Sequence, residues 1–247
     1  SGHDPAHMPP PGDGHDPGAC SQVAPTASVD HFVVSGASKR GWTTWLVGAA
    51  ENGPLGAGRV SAIAPIVIDV LNVEASMIHH VNTYGTWSFA IQDYVDQGIM
   101  NWLGTPEAQA LFDLVDPYAY LSRLTMPKYV FTASGDEFFL PDSWWFYWDA
   151  LPGEKRLRTW ANAGHSVEAA GLEAVLEPLG LYTAIVDPAV PVPDLDWALS
   201  PDGTLDAWTA TPGATAVLWQ GTNPNARDFR YALVGPVFFS TPLADLG

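Results

Sequence analysis

The sequence of 247 residues has little positive charge, one cysteine and no long apolar run. Lys and Arg number 10 against 27 Asp and Glu, a net charge of −17. A field of that sign repels phosphate backbones and anionic lipid, so no nucleic-acid partner is expected. The lone Cys20 cannot close an internal disulfide and lies in a Pro/Gly loop, so neither a disulfide framework nor a reactive thiol is read from it. No stretch approaches the roughly 20 apolar residues that cross a bilayer, so no membrane span is expected. The chain opens Ser-Gly-His, and no signal peptide is visible in it. What it does have is 47% hydrophobic residues, enough to build a full core.

Organisation changes twice along the chain. Residues 1–27 are rich in Pro, Gly, His and Asp without apolar periodicity, and are expected to be a disordered leader. His3, His7 and His15 recur there, but their spacing in Pro/Gly sequence is weak evidence for metal, and no metal or cofactor is expected. Residues 28–187 alternate strand-like runs with helical patterns. The runs are Phe32 to Val34, Val60 to Ile68, Lys128 to Ser134 and Lys155 to Ala161. Strands separated by helices imply parallel βαβ units and an α/β sheet. The interval at about 71–120 is too long for one crossover and rich in aromatics, and reads as an inserted helical cap. "DSWWFYWDAL" reads as a helix that packs Trp144, Trp145 and Trp148 on the sheet. Residues 188–247 carry short alternating runs and the turn "SPDGT", which predict a small, incomplete antiparallel β module of sandwich type.

The stretch "HFVVSGASKRGW" puts Ser38 where a strand becomes a helix. A serine there is either an ordinary helix cap or a nucleophile on a sharp turn. Acyl-transfer chemistry needs that nucleophile, a histidine to take its proton and a carboxylate to orient the histidine. Ser38, Asp136 in "TASGDEFF" and His165 in "ANAGHS" follow successive strand ends in the order serine, acid, histidine. Asp69 in "IVIDVLN" is the alternative acid, with Glu137 and Asp142 as weaker rivals. Gly41 comes three residues after the serine rather than the usual two, which weakens the motif taken alone. His79 and His80 are adjacent on a cap helix, point apart, and do not form a joint metal site.

Several longer motifs, "VSGASKRGWTTWL", "AIAPIVIDVLN", "DEFFLPDS", "FYWDALPGEKRLR", "NAGHS" and "TNPNARDFR", resemble the PhoPQ-activated pathogenicity-related proteins. That bacterial, α/β-hydrolase-like family is itself similar to autocrine proliferation repressors of amoebae. The resemblance implies an α/β-hydrolase-like parallel sheet and a serine-hydrolase site, with Ser38 as nucleophile, His165 as base and Asp136 as its acid. It further implies an exported, virulence-associated protein acting on an ester or amide of a small molecule or peptide. The elbow also looks like that of glucuronoyl esterases, where a basic residue follows the serine. Here that residue is Lys39, expected to give its backbone N–H to the oxyanion and its ammonium to the substrate. Because the fold places four strands and a second oxyanion donor upstream of the nucleophile, the chain looks truncated. It is expected to be a poor hydrolase with one sheet edge unpaired. The contrasting expectation is a non-catalytic secreted binding or signalling protein that keeps the fold.

Overall fold

The apolar run at Phe32 forms β1 (Phe32–Ala37), and the helix after it is α1 (Lys39–Glu51). A computed structural model describes residues 28–69, 71–187 and 189–244. The leader 1–27, with His3, His7, His15 and Cys20, lies outside the described residues. The other strand-like runs form the buried β2 (Val60–Ile66) and β3 (Lys128–Ala133) and the half-buried β4 (Lys155–Trp160). The four strands make one parallel sheet in the order β1-β2-β3-β4, with Ser35 opposite Ala64 and Thr132 opposite Thr159. Among the described residues β1 and β4 are the outer strands.

Both faces of this sheet are covered, as a parallel sheet requires. Strand alternation sends Ile63 and Val130 to one face, where they pack with Trp45, Leu71, Tyr147 and Leu151. It sends Ala64 and Phe131 to the other, where Phe131 stacks on Trp160 at 5.1 Å. Helix α1 buries Gly41, Thr44, Trp45, Gly48 and Ala49, a one-sided stripe of helical period. Each fully buried large apolar side chain in these layers contributes about 1.5–3 kcal/mol.

The interval between β2 and β3 is helical: α2 (Val73–Tyr84), α3 (Gln92–Asp96) and α4 (Pro106–Val115), joined by short 3₁₀ turns. Thr105 caps α4 by accepting from the Ala108 N–H, and Pro106 fills the first turn where no N–H partner is needed. Asp116 then ties the segment closed. Its carboxylate accepts from the Val73 N–H at 2.7 Å and the Tyr118 N–H at 2.8 Å, so the start of α2 and the turn after α4 share one anchor.

Two expectations are corrected. "DSWWFYWDAL" forms only a 3₁₀ turn over Ser143–Phe146. Pro152, which has no N–H, cannot extend the turn, and the Lys155 ammonium of β4 takes the carbonyls of Trp148 and Leu151 that are left without α-helical partners. Trp144 and Trp148 pack on the core, while Trp145 is exposed. In the C-terminal segment, after α5 (Glu173–Val186), four strands form two separate hairpins. They are β5 (Asp196–Leu199) with β6 (Leu205–Trp208), and β7 (Val217–Gly221) with β8 (Phe238–Pro242). "RDFRYALVG" supplies no strand. Its one helical turn, α6 (Tyr231–Val234), is held by the Tyr231 N–H donating to the Gly135 carbonyl at 2.8 Å.

Candidate active site

Ser38 stands between β1 and α1 with φ 54° and ψ −125°, a conformation that non-glycine residues avoid. Its N–H still pairs with β2, donating to the Ile66 carbonyl at 2.9 Å, while its own carbonyl already accepts the Trp42 N–H at 3.0 Å. One residue therefore belongs to the sheet on one side and the helix on the other. Such a backbone costs about 1–3 kcal/mol and persists only where surroundings over-determine it. The flanking glycines explain how. A Cβ on Gly36 would lie 2.7 Å from the Arg40 carbonyl oxygen, and one on Gly41 would lie 2.4 Å from an Ile68 methyl. Gly41, one place later than the common pattern, still serves close helix-to-sheet packing.

Asp136 follows β3 and His165 follows β4, so both side chains reach the same end of the sheet as Ser38. The Ser38 Oγ lies 2.8 Å from His165 Nε2, and His165 Nδ1 lies 3.0 and 2.9 Å from the two Asp136 oxygens. Asp136 is buried, and its Oδ1 also accepts from the N–H groups of Phe138 (2.7 Å) and Phe139 (3.2 Å). Burial raises its carboxyl above its ordinary value; the His165 ring and the two N–H groups oppose that rise. A carboxylate facing Nδ1 fixes the tautomer: Nδ1–H donates to Asp136, and Nε2 is left to accept the Ser38 proton. The His165 ring is held from the side by Phe138, with centroids 4.2 Å apart.

The rival residues lie elsewhere. Asp69 is fully enclosed and accepts the Tyr147 hydroxyl, while its second oxygen has no partner among the described residues. Asp142 faces His79 Nε2 at 3.0 Å and the Arg227 guanidinium. Glu137 does not face the His165 ring but positions its backbone. One Glu137 oxygen accepts the His165 N–H at 2.9 Å and the other the Ala232 N–H at 3.1 Å. His80 is buried, its Nε2 accepting the Ser88 N–H at 3.0 Å, and burial lowers its pKa to about 4. Lys39 is exposed; its ammonium has no hydrogen-bond or ion-pair partner among the described residues. Among those residues no group of three or more His, Cys, Asp or Glu could hold a metal ion.

Burial pushes the Asp69 carboxyl up to about 7, from an ordinary value near 4. Between those two pH values the folded protein keeps a proton that the unfolded chain has released, so stability falls as pH rises through the window. Fully developed, the loss is on the order of 4 kcal/mol. Asp69→Asn keeps an acceptor for Tyr147 but cannot ionise. Thermal unfolding should therefore show the variant more stable than the parent at pH 8 and not at pH 4; equal shifts at both pH values would contradict the buried-proton account.

Sequence pattern offers Glu137 only as a rival acid and assigns nothing to Phe138 and Phe139, yet all three contact His165. Their signal was adjacency to Asp136: residues following a strand-end carboxylate are placed to wrap the group that the carboxylate binds.

An acetyl xylan esterase from Paenibacillus sp. R4 superposes with a TM-score of 0.47 at 15% identity, covering 62% of this chain and 46% of that one. An acylaminoacyl peptidase of Pyrococcus horikoshii superposes with a TM-score of 0.42 at 13% identity, covering 63% of this chain and 23% of that one. Autocrine proliferation repressor protein A of Dictyostelium discoideum is 40% identical over 182 residues, which are 73% of this chain. The match takes in 35% of that protein, so the chain spans about a third of the curated relative's length. The model of the PhoPQ-activated pathogenicity-related proteins matches residues 18–230, most of the sequence. The chain therefore belongs to the PhoPQ-activated pathogenicity-related protein family.

Proposed function

We propose that the chain is a serine hydrolase acting on an ester or amide carbonyl through Ser38, His165 and Asp136. The observation that carries this reading is the continuous relay from the strained Ser38 hydroxyl to His165 Nε2 at 2.8 Å and from Nδ1 to the buried Asp136. In the first step the Ser38 proton passes to Nε2 as Oγ bonds the carbonyl carbon, and Asp136 stabilises the imidazolium. The negative charge moves to the carbonyl oxygen, to which the Lys39 N–H, the first of α1, would donate. The imidazolium then protonates the leaving oxygen or nitrogen, and water repeats the sequence on the acyl-enzyme.

An alkyl fluorophosphonate tests this directly, because it phosphonylates an activated serine and spares an ordinary one. The expected result is a single adduct mapped to Ser38 by mass spectrometry and abolished in His165→Ala. An unlabelled Ser38 in folded protein would remove the reading. The name of the Dictyostelium relative favours a second one, an exported signalling protein that keeps the fold without the chemistry. On that reading Ser38 is inert and the chain is exported.

A further inference from the structure

A cavity of about 240 Å³ opens among the helices between β2 and β3. None of the side chains lining it is charged; its inner wall includes Val73, Met77, Ala108 and Phe112. It touches the candidate active site twice. Phe138 and Phe139 line it, and their rings pack on His165 with centroids at 4.2 and 5.9 Å. Trp42 lines it from the first turn of α1, where its N–H bonds the Ser38 carbonyl. The Trp42 indole N–H is already used, donating to the Val115 carbonyl at 2.7 Å, so the ring offers the cavity an apolar surface. Tyr94, Ile99, Trp102 and Leu111 line it as well and are exposed, forming an open apolar rim.

We propose that this cavity is the substrate pocket, and that the substrate is a neutral ester or amide carrying an apolar group of up to about ten carbons. The inference rests on the hydrolase reading for the site of cleavage, but the pocket's own chemistry stands apart from it. A dry apolar cavity of about 150 Å³ holds a benzene ring, so one of this volume takes about ten carbons. A charged group entering it would lose its water and meet no partner, which excludes acids and amines as the buried part. The net charge of −17 works against anionic substrates as well. The rim gives the chain a way in, and the Phe138 wall places its root beside the histidine that must protonate or deprotonate the reacting atoms.

The test measures kcat/KM for two homologous series on the same chain. One is p-nitrophenyl esters from acetate to dodecanoate; the other is acetate esters of alcohols from methanol to dodecanol. In one of the series kcat/KM should rise about fourfold per methylene until about ten carbons and then level or fall. Leu111→Glu at the exposed rim should flatten that rise, whereas Leu55→Glu, the same change on an exposed loop, should leave its slope unaltered. A flat response in both series overturns the pocket. Were Ser38 inert to the fluorophosphonate and every ester stable, the hydrolase reading would fall by itself. The pocket is then judged by calorimetry with 1-decanol: binding that Leu111→Glu abolishes upholds it, and absence of binding overturns it.

Discussion

Replacing Ser38 with alanine is expected to lower kcat for an ester by about 10⁶-fold while KM changes little. The size follows from the geometry. His165 Nε2 has one reacting partner at hydrogen-bond distance, the Ser38 Oγ at 2.8 Å, and without it no group on the protein attacks the carbonyl. What survives is binding and oxyanion stabilisation, which a direct attack by water exploits poorly. Ser38→Gly adds a second readout. Glycine adopts φ 54° without strain, so this variant should be as inactive as alanine yet more stable than the parent by about 1 kcal/mol. Steady-state assays beside denaturant melts check both. A loss below about tenfold in turnover would show that another group is the nucleophile.

Asp136→Asn is expected to cost about 10⁴-fold in kcat. The asparagine carbonyl can still accept from the Phe138 and Phe139 N–H groups, which turns its NH₂ toward His165 Nδ1. A donor facing Nδ1 forces the proton onto Nε2, and a protonated Nε2 cannot take one from Ser38. The ring stays where Phe138 holds it, so the defect is one of tautomer rather than position. Asp69→Asn should change kcat by less than about tenfold, because Asp69 serves Tyr147 and not the imidazole. The opposite ranking of the two variants, measured with one substrate, would reassign the acid to Asp69.

The relay residues were legible because their signals are local and repeated: each follows a strand, with Gly36 near the end of β1 and Gly135 and Gly164 in the loops just before the acid and the histidine. Chain order then suggested a role for each, as the proposed function takes it up. The choice between Asp136 and Asp69 was not settled in the sequence, because both follow strands and the difference lies in what faces them. Tyr147, which occupies Asp69, is 78 residues away in a segment read as a helix. That helical reading failed for a related reason. The periodicity of Trp144 and Trp148 was sound for burial, but Pro152 offers no N–H to continue the turn, and Lys155, from the next strand, takes the carbonyls left free. The parallel sheet was readable from its buried runs. The two C-terminal hairpins were harder, since one run there folds as a helical turn against Gly135 and leaves the strands paired in twos. In each case long-range contact overrode local pattern.

The contact between Ser38 and His165 joins residues 127 positions apart, with every strand of the parallel sheet lying between or at their ends. Loop-closure entropy makes such pairings late events in folding, after local helices have formed and after β1 to β4 have found their register. The relay consequently has no counterpart in a partly folded chain: a collapsed state with helices in place would hold a serine of ordinary reactivity. On the proposed function, refolding would bring Ser38 to His165 only when the last strand docks, so a nucleophilic Ser38 would report completion of the topology rather than of secondary structure.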